Sequence, residues 1–140
     1  MAVALLDANV LIALAWPEHE FHDRAGRWFA RHSRGGWATC PFTQSALVRV
    51  LSNPAFSPNA LTPQNALTVL ETNLKLPGHH FWPASISFSQ AAGLVSHALT
   101  GHRQVTDIYL LGLAIHNRGR LATLDRAVKA VDPEAVECLL

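Results

Sequence analysis

A chain of 140 residues with 49% hydrophobic content can bury one core, and it needs neither a second domain nor disulfide bonds. Its formal net charge of +1 excludes attraction of nucleic acid through overall charge, so any basic surface must be local. The apolar stretch at residues 3–14 follows no basic segment and is interrupted by Asp7 and Asn9, which argues against a signal peptide or a membrane span. We therefore expect a single domain over residues 1–140, located in the cytoplasm.

Strand-like and helix-like segments alternate along the chain. The predicted strands are residues 3–6, 37–40, 80–82, 121–124 and 136–140. The predicted helices are residues 9–15, 18–33, 43–51, 62–74 and 87–99, followed by a polar loop at 101–106 and a further helix from Asp107. This alternation predicts a three-layer α/β/α domain with a largely parallel central sheet.

Three aspartates stand where a strand-like run turns into a helix-like run: Asp7, Asp107 and Asp125. The carboxyl ends of parallel strands lie side by side, so acids that follow strands can converge although they are far apart in sequence. Converging carboxylates repel one another, and a hard divalent cation with oxygen ligands relieves that repulsion. The pattern therefore predicts a Mg²⁺ or Mn²⁺ site. The alternative is that each Asp only caps a helix, by accepting hydrogen bonds from its first N–H groups.

Four arginines, Arg24, Arg27, Arg31 and Arg34, are spaced so that they share one helical face. Arginine is a good bidentate ligand for phosphate, so this stripe is a candidate RNA-contacting surface. A charged helical face is also common as plain solvated surface, and that alternative stays open.

Other candidate sites are weaker. Cys40 and Cys138 lie in apolar runs without CxxC spacing, which favours reduced thiols over a disulfide or a zinc site. His19, His22 and Asp23 fall on one face of the predicted helix, but they do not form an HExxH motif, so we interpret them as a solvated helix start.

Three segments, LLDANVLIAL, ATCPFTQSALVRVLSNPAF and VTDIYLLGLAIHNRGRLATLDRAV, resemble PIN-domain proteins, specifically the VapC-type toxins of toxin–antitoxin pairs. The resemblance covers nearly the whole chain. It implies a PIN-like fold and a metal-dependent endoribonuclease that uses Mg²⁺ or Mn²⁺. It further implies a homodimer, inhibition by a cognate VapB-like antitoxin and cleavage of a cellular RNA such as tRNA or ribosomal RNA.

The resemblance also implies roles for individual residues. Asp7, Asp107 and Asp125 match the metal-binding and catalytic acids, and Asn9 and Thr123 match polar positions that line the same pocket. Family members commonly carry a Glu where this chain has Ala46. Gln44, or its neighbour Ser45, is a candidate for a neutral contact in the pocket. We expect one well-held ion, ligated mainly by Asp7 and Asp107, with Asp125 acting through water.

The missing acid leaves a second hypothesis open. The fold could be retained in a protein that binds RNA or an antitoxin-like partner without cutting RNA. Nothing in the sequence identifies which RNA is cut, or where, because such choices depend on surface shape and loop contacts.

Overall fold

The computed structural model describes residues 2–95 and 101–140. Within them the strands are β1 (Ala4–Leu6), β2 (Trp37–Thr39), β3 (His79–Phe81), β4 (Arg120–Thr123) and β5 (Val136–Cys138). The helices are α1 (Ala8–Ala15), α2 (His22–His32), α3 (Pro41–Leu51), α4 (Pro63–Leu74), α5 (Phe88–Leu94), α6 (Val105–His116) and α7 (Arg126–Val131). None of the helices in these residues has the length and hydrophobicity to cross a bilayer.

The five strands form one parallel sheet in the order β3-β2-β1-β4-β5. β1 is the central strand, and its Leu5 pairs with Ala38 of β2 on one side and with Leu121 of β4 on the other. The chain builds outward from β1 to β3 and then returns to place β4 on the opposite side of β1. The carboxyl ends of β1 and β4 therefore flank a topological switch point, the position where open α/β sheets form a crevice.

Helices cover both faces of the sheet. Side chains alternate along each strand, so Leu6 and Ala122 pack into the core beneath α1 to α4, whereas Leu5 and Leu121 pack into the core beneath α5 to α7. The predicted three-layer α/β/α architecture with a parallel sheet is confirmed.

Three predicted segments differ from the structure. Residues 18–21 form turns, with the Phe21 N–H donating to His19 Nδ1 at 3.0 Å, and α2 begins only at His22. α5 ends at Leu94 because Val95 is extended, and residues 96–99 of that predicted helix lie outside the described residues. The predicted loop at 101–106 contains a 3-10 turn, His102–Gln104, and α6 begins two residues before Asp107.

Helix α6 is buried along most of its length, from Ile108 to Ala114. It packs against α5 at Gly112, where a Cβ atom would lie only 2.3 Å from the carbonyl oxygen of Ala91. The two helices therefore touch backbone to backbone, and this contact fixes the position of the helix whose first turn carries Asp107.

Candidate active site

Polar and acidic side chains gather where β1 and β4 end. Asp7 directly follows β1, Thr123 is the last residue of β4, and Asp125 comes two positions later. The Asp7 backbone N–H donates to the Ala122 carbonyl at 2.9 Å, which holds the two strand ends together. The side chain of Asp7 is only 8% exposed and Thr123 is fully buried.

Thr123 is the centre of a hydrogen-bond network around Asp7. Its hydroxyl donates to Asp7 Oδ2 at 2.8 Å and accepts from Asn9 Nδ2 and from the Asp125 backbone N–H, each at 3.1 Å. Asn9 Oδ1 in turn accepts from the Leu124 backbone N–H at 3.0 Å. Thr123 lies 116 positions from Asp7 and 114 positions from Asn9 in the sequence, so contacts between distant parts of the chain orient the buried carboxylate.

Asp107 does not follow a strand, contrary to the sequence interpretation. A 3-10 turn precedes α6, and Asp107 is the third residue of the helix, where it lies in the first turn and does not occupy the N-cap position. Its side chain is half-buried. Asp107 therefore belongs to the helix layer that packs on β1 and β4. It approaches the ends of these strands from α6 and is not itself part of a strand end.

The three carboxyl groups interact electrostatically. The pKa of Asp107 is raised from 3.8 to about 6, first by burial and then by the negative charges of Asp7 and Asp125. Burial also raises the pKa of Asp7, with a smaller contribution from the charge of Asp125, and the hydrogen bonds from Thr123 and the Ala8 N–H counter part of that rise. The structure therefore brings all three predicted acids into one negatively charged neighbourhood.

The alternative that each Asp only caps a helix applies to the three acids to different degrees. Asp125 is the N-cap of α7, and its Oδ1 accepts from the Ala127 backbone N–H at 2.8 Å. Asp7 occupies the N-cap position of α1, but its side chain makes no capping hydrogen bond there. Of the three acids, Asp125 is therefore the one that uses a carboxylate oxygen as a helix cap, which leaves its second oxygen for another contact.

An open cleft of about 230 Å³ lies beside these acids and is lined by Asp107 and Asp125 together with apolar residues of α6 and α7. We refer to it as the acid cleft. Arg103 and Gln104 also line it. Both residues fall in the polar loop to which the sequence assigned no role. Their position directly before the Asp107 helix was the signal that could have identified them.

The donor set suits a hard divalent cation. Among residues 2–95 and 101–140, no three His, Cys, Asp or Glu side chains are grouped closely enough to hold a metal ion by themselves. Mg²⁺, however, binds through one or two carboxylates and keeps several waters, so a pair of acids is sufficient. Asp7 and Asp107, both buried enough to have a raised pKa, are the carboxyl groups that would gain most from a neighbouring positive charge.

The end of β2 carries a neutral cluster instead. The hydroxyl of Thr39, the last residue of β2, accepts from Gln44 Nε2 at 2.9 Å and lies 2.7 Å from His79 Nε2. Gln44 and Ser45 line a separate groove along α3 and α4 and not the acid cleft. Ala46 is half-buried on α3. The predicted pocket role of Gln44 therefore has no contact with the acids to support it.

The four arginines do not form one continuous helical face. Arg24, Arg27 and Arg31 are exposed on α2, whereas Arg34 lies in the 3-10 turn that follows it. Arg24 Nη1 donates to the Leu139 carbonyl at 3.3 Å, near the carboxyl end of the sheet. Since α2 leads toward the start of β2, Arg34 lies at the opposite edge from the acids. RNA contact by this stripe stays a prediction.

The structure gives no sign of a metal site at the described histidines of the α2 start or at the two cysteines. His19 lies in the turn before α2, so it does not share a helical face with His22 and Asp23 as the sequence suggested. His22 Nδ1 lies 2.7 Å from the Ala13 carbonyl. Cys40 is buried and Cys138 is half-buried, and both are free thiols.

Comparison with known proteins places the chain in a family. The model of the PIN domain matches residues 4–133, and the chain therefore belongs to the PIN-domain family. Its relatives in Mycobacterium tuberculosis include ribonuclease VapC39, which is 43% identical over 125 residues (89% of this chain and 90% of the relative). Ribonuclease VapC29 of the same organism is 46% identical over 121 residues (86% and 84%).

A solved structure shares the fold. The crystal structure of VapBC2 from Rickettsia felis, bound to a DNA fragment from their promoter, matches with a TM-score of 0.69 and 12% sequence identity. The match covers 97% of this chain and 98% of that chain. At this identity the likeness concerns the fold, and it supports the α/β/α assignment.

Proposed function

We propose that this chain, a PIN-domain ribonuclease of the VapC type, hydrolyses phosphodiester bonds of cellular RNA with the help of a divalent cation. Asp7 and Asp107 are the metal ligands in this proposal, and Asp125 acts through water. The observation that carries it is the convergence of three carboxyl groups, from β1, β4 and α6, on the switch point of the sheet. The names of the relatives favour cleavage over binding alone.

A cation held by Asp7 and Asp107 would relieve the repulsion between the acidic side chains. Asp7 is buried and accepts a hydrogen bond from Thr123, so the side chain is held in place although its negative charge is poorly solvated. The pKa of Asp107 is raised by burial and by the negative charges of Asp7 and Asp125. Asp7 and Asp107, in their charged forms, would hold Mg²⁺ or Mn²⁺, and the ion would then lower the pKa of a water molecule and offset negative charge at the scissile phosphate.

The protein residues then have separate tasks. Thr123 fixes the rotamer of Asp7, and Asn9 fixes Thr123. Asp125 keeps one oxygen on the Ala127 N–H, so the other is available to accept a hydrogen bond from a water in the cleft and thereby orient it. Arg103, at the rim of the acid cleft, is placed to pair with a phosphate oxygen of the substrate.

One ion is the expected stoichiometry. The position that commonly carries a fourth acid in this family is Ala46, whose methyl group cannot ligate a cation, and the side chain of Thr39, at the end of β2, contacts the neutral Gln44 amide and the His79 ring. An additional cation would find a hydroxyl, an amide and an imidazole there, which are poorer ligands for Mg²⁺ than carboxylates.

Partners follow from the same relationship. We propose that the chain is the toxin of a toxin–antitoxin pair, that a VapB-like antitoxin inhibits it, and that it forms a homodimer. The support is the similarity to proteins named VapC and the fold shared with a VapBC structure.

Cleavage of total RNA by the purified protein tests this function. Fragments should form with Mg²⁺ or Mn²⁺, disappear with EDTA and be absent for Asp107→Asn, which keeps the size of the side chain but removes its charge. Asp23→Asn is the matched control, because Asp23 also lies in the first turn of a helix but is exposed on α2. Cleavage that survives EDTA or Asp107→Asn would contradict the metal-assisted mechanism. A folded, metal-loaded protein that cuts no RNA would favour the binding-only alternative.

A further inference from the structure

A second cleft, of about 360 Å³, opens on another face of α6. Val105, Thr106 and Tyr109 of α6 line it, together with Phe42 of α3 and Phe88 of α5. We call it the aromatic cleft. Because Val105 and Thr106 immediately precede Asp107, the aromatic cleft and the acid cleft share the first turn of α6.

The rings of the aromatic cleft are held in place by their neighbours. Tyr109 is buried, and its hydroxyl donates to the Ile86 carbonyl at 2.9 Å. Its ring meets Phe42 edge-on, with centroids 5.2 Å apart and planes at 69°, and lies nearly parallel to Phe88 at 6.4 Å and 17°. Phe42 and Phe88 nevertheless remain 48% and 39% exposed. The cleft thus presents two exposed, pre-positioned aromatic rings to solvent.

The chemistry of this surface suits a nucleobase. None of the seven residues that line the cleft is charged, so the cleft itself does not repel a polyanion. Flat bases of any identity stack on exposed aromatic rings, and proteins that bind single-stranded RNA commonly use such rings. On the other side of the α6 terminus, Arg103 supplies a positive charge for a phosphate.

We propose that the aromatic cleft binds an unpaired base of the RNA substrate next to the phosphate that is cleaved in the acid cleft. This inference rests on the proposed ribonuclease function and adds to it a base-binding surface beside the acids. A second copy of the chain is a less suitable occupant, because stable interfaces use about 20–30 residues a side and this surface is a small concave site. Continuity with the acid cleft through a single helix turn favours RNA.

Binding measured without cleavage tests the inference. The background is Asp107→Asn, and the probe is a short single-stranded RNA that contains the fluorescent base aminopurine. We expect its fluorescence to be quenched on binding. Phe42→Ala and Phe88→Ala should each weaken binding by about fivefold to a hundredfold and reduce the quenching, because each removes a stacking surface. Phe42→Tyr and Phe88→Tyr keep a ring and should behave like the parent.

Two control variants isolate the contribution of stacking. Phe81→Ala removes a phenylalanine that is 52% exposed but does not line the cleft, and it should leave binding unchanged. Phe88→Leu keeps an apolar side chain without a ring, so it should reduce the quenching as Phe88→Ala does. Circular dichroism and thermal unfolding check that each variant is folded, as expected for exposed positions.

The contrary outcomes are distinct. Unchanged RNA affinity and quenching in the Phe42→Ala, Phe88→Ala double variant would overturn the inference. So would a change from dimer to monomer in that variant with RNA binding intact, which would identify the cleft as an interface between copies. Equal affinity for fully paired and unpaired RNA would also contradict it. Cleavage of total RNA by the parent, assayed in parallel, decides the ribonuclease function separately, so the two proposals can fail independently.

Discussion

The two strands that flank the central strand β1 end in similar positions but carry different side chains around those ends. Thr39 ends β2 and Thr123 ends β4, and both threonines are fully buried with their hydroxyls in a hydrogen-bond cluster. Thr123 contacts the Asp7 carboxylate, whereas Thr39 contacts the Gln44 amide and the His79 ring. Burial and the neighbouring His80 lower the pKa of His79, so this second cluster is neutral at neutral pH.

The comparison shows that two clusters in equivalent positions of the sheet can differ in charge. Both clusters lie at the carboxyl edge of a parallel sheet, but the three interacting acids, Asp7, Asp107 and Asp125, lie on the side of the switch point, between β1 and β4. The hydrogen bonds of the neutral cluster join β2, α3 and β3. We therefore expect the Thr123 side to serve the reaction and the Thr39 side to serve stability, and the following predictions test that division.

Among the variants that test this division, Thr123→Val should have the largest effect. This variant removes the hydroxyl that orients Asp7, so RNA cleavage should fall by about 10–100-fold, as for other residues that position metal ligands. The free energy of unfolding should fall by about 1–3 kcal/mol, because buried polar groups lose a partner. The measurements are kcat/KM for an RNA substrate and urea denaturation.

Thr123→Ser keeps the hydroxyl and should retain most of the activity. Thr39→Val is the matched variant in the neutral cluster and should cost stability while leaving the cleavage rate unchanged. If Thr39→Val and Thr123→Val reduce cleavage equally, the division between the two clusters is wrong.

Ala46→Glu introduces an acid on the neutral side. If the lack of a carboxylate there limits the site to one ion, the parent should bind one Mn²⁺ per chain and the variant two, as measured by isothermal titration calorimetry. Ala46→Gln, which has nearly the same shape without the charge, should stay at one. A parent that already binds two ions would refute the one-ion expectation.

The pH dependence of stability should reflect the acidic side. Without metal, the pKa of Asp107 is about 6 in the folded protein against an ordinary 3.8, so folding takes up a proton between these values. The stabilisation is fully present below the ordinary pKa and is lost as the pH rises through about 6. Asp7, whose pKa is also raised, acts in the same direction.

Urea denaturation in EDTA, over a pH series that spans both values, measures this loss. Asp107→Asn should reduce the slope, and saturating Mg²⁺ should offset the decline because the cation favours the ionised carboxylates. A free energy of unfolding that rises with pH across the same window would contradict the assigned direction.

The smallest effect is expected for Gln44→Ala. This variant removes one hydrogen bond to Thr39, so the free energy of unfolding should fall by about 0.5–1.5 kcal/mol. Cleavage should be unaffected, since Gln44 does not line the acid cleft. A large loss of cleavage would instead support the pocket role that the sequence suggested for Gln44.

Periodicity and turn residues were sufficient to predict the layers and the parallel sheet. Asp7 and Asp125 could also be found in this way, because each follows an apolar strand and the ends of parallel strands are neighbours. Asp107 was predicted as a third acid near the other two, and the structure places it in their neighbourhood, but the prediction that it directly follows a strand was wrong. The apolar residues after it indicate a helix, whereas nothing in the polar segment before it indicates that α6 already begins at Val105.

The remaining features depend on tertiary structure. The Thr39 cluster joins residues 40 positions apart, and the aromatic cleft joins Phe42 to Tyr109 and Phe88 across three helices. The position of Arg103 in the lining of the acid cleft depends on the conformation of a short turn. The spacing of residues in the sequence does not predict such long-range contacts, because they depend on loop conformation and on how the helices pack.

The contact between α5 and α6 at Gly112 limits how this protein can be improved by engineering. Replacing a glycine in the middle of a helix by alanine is a standard way to raise thermal stability, since glycine is about 1 kcal/mol less favourable there. At Gly112 the added methyl group would collide with the Ala91 backbone. Any relief would shift α6 and carry Asp107 with it, so a library designed for heat resistance should hold this position constant.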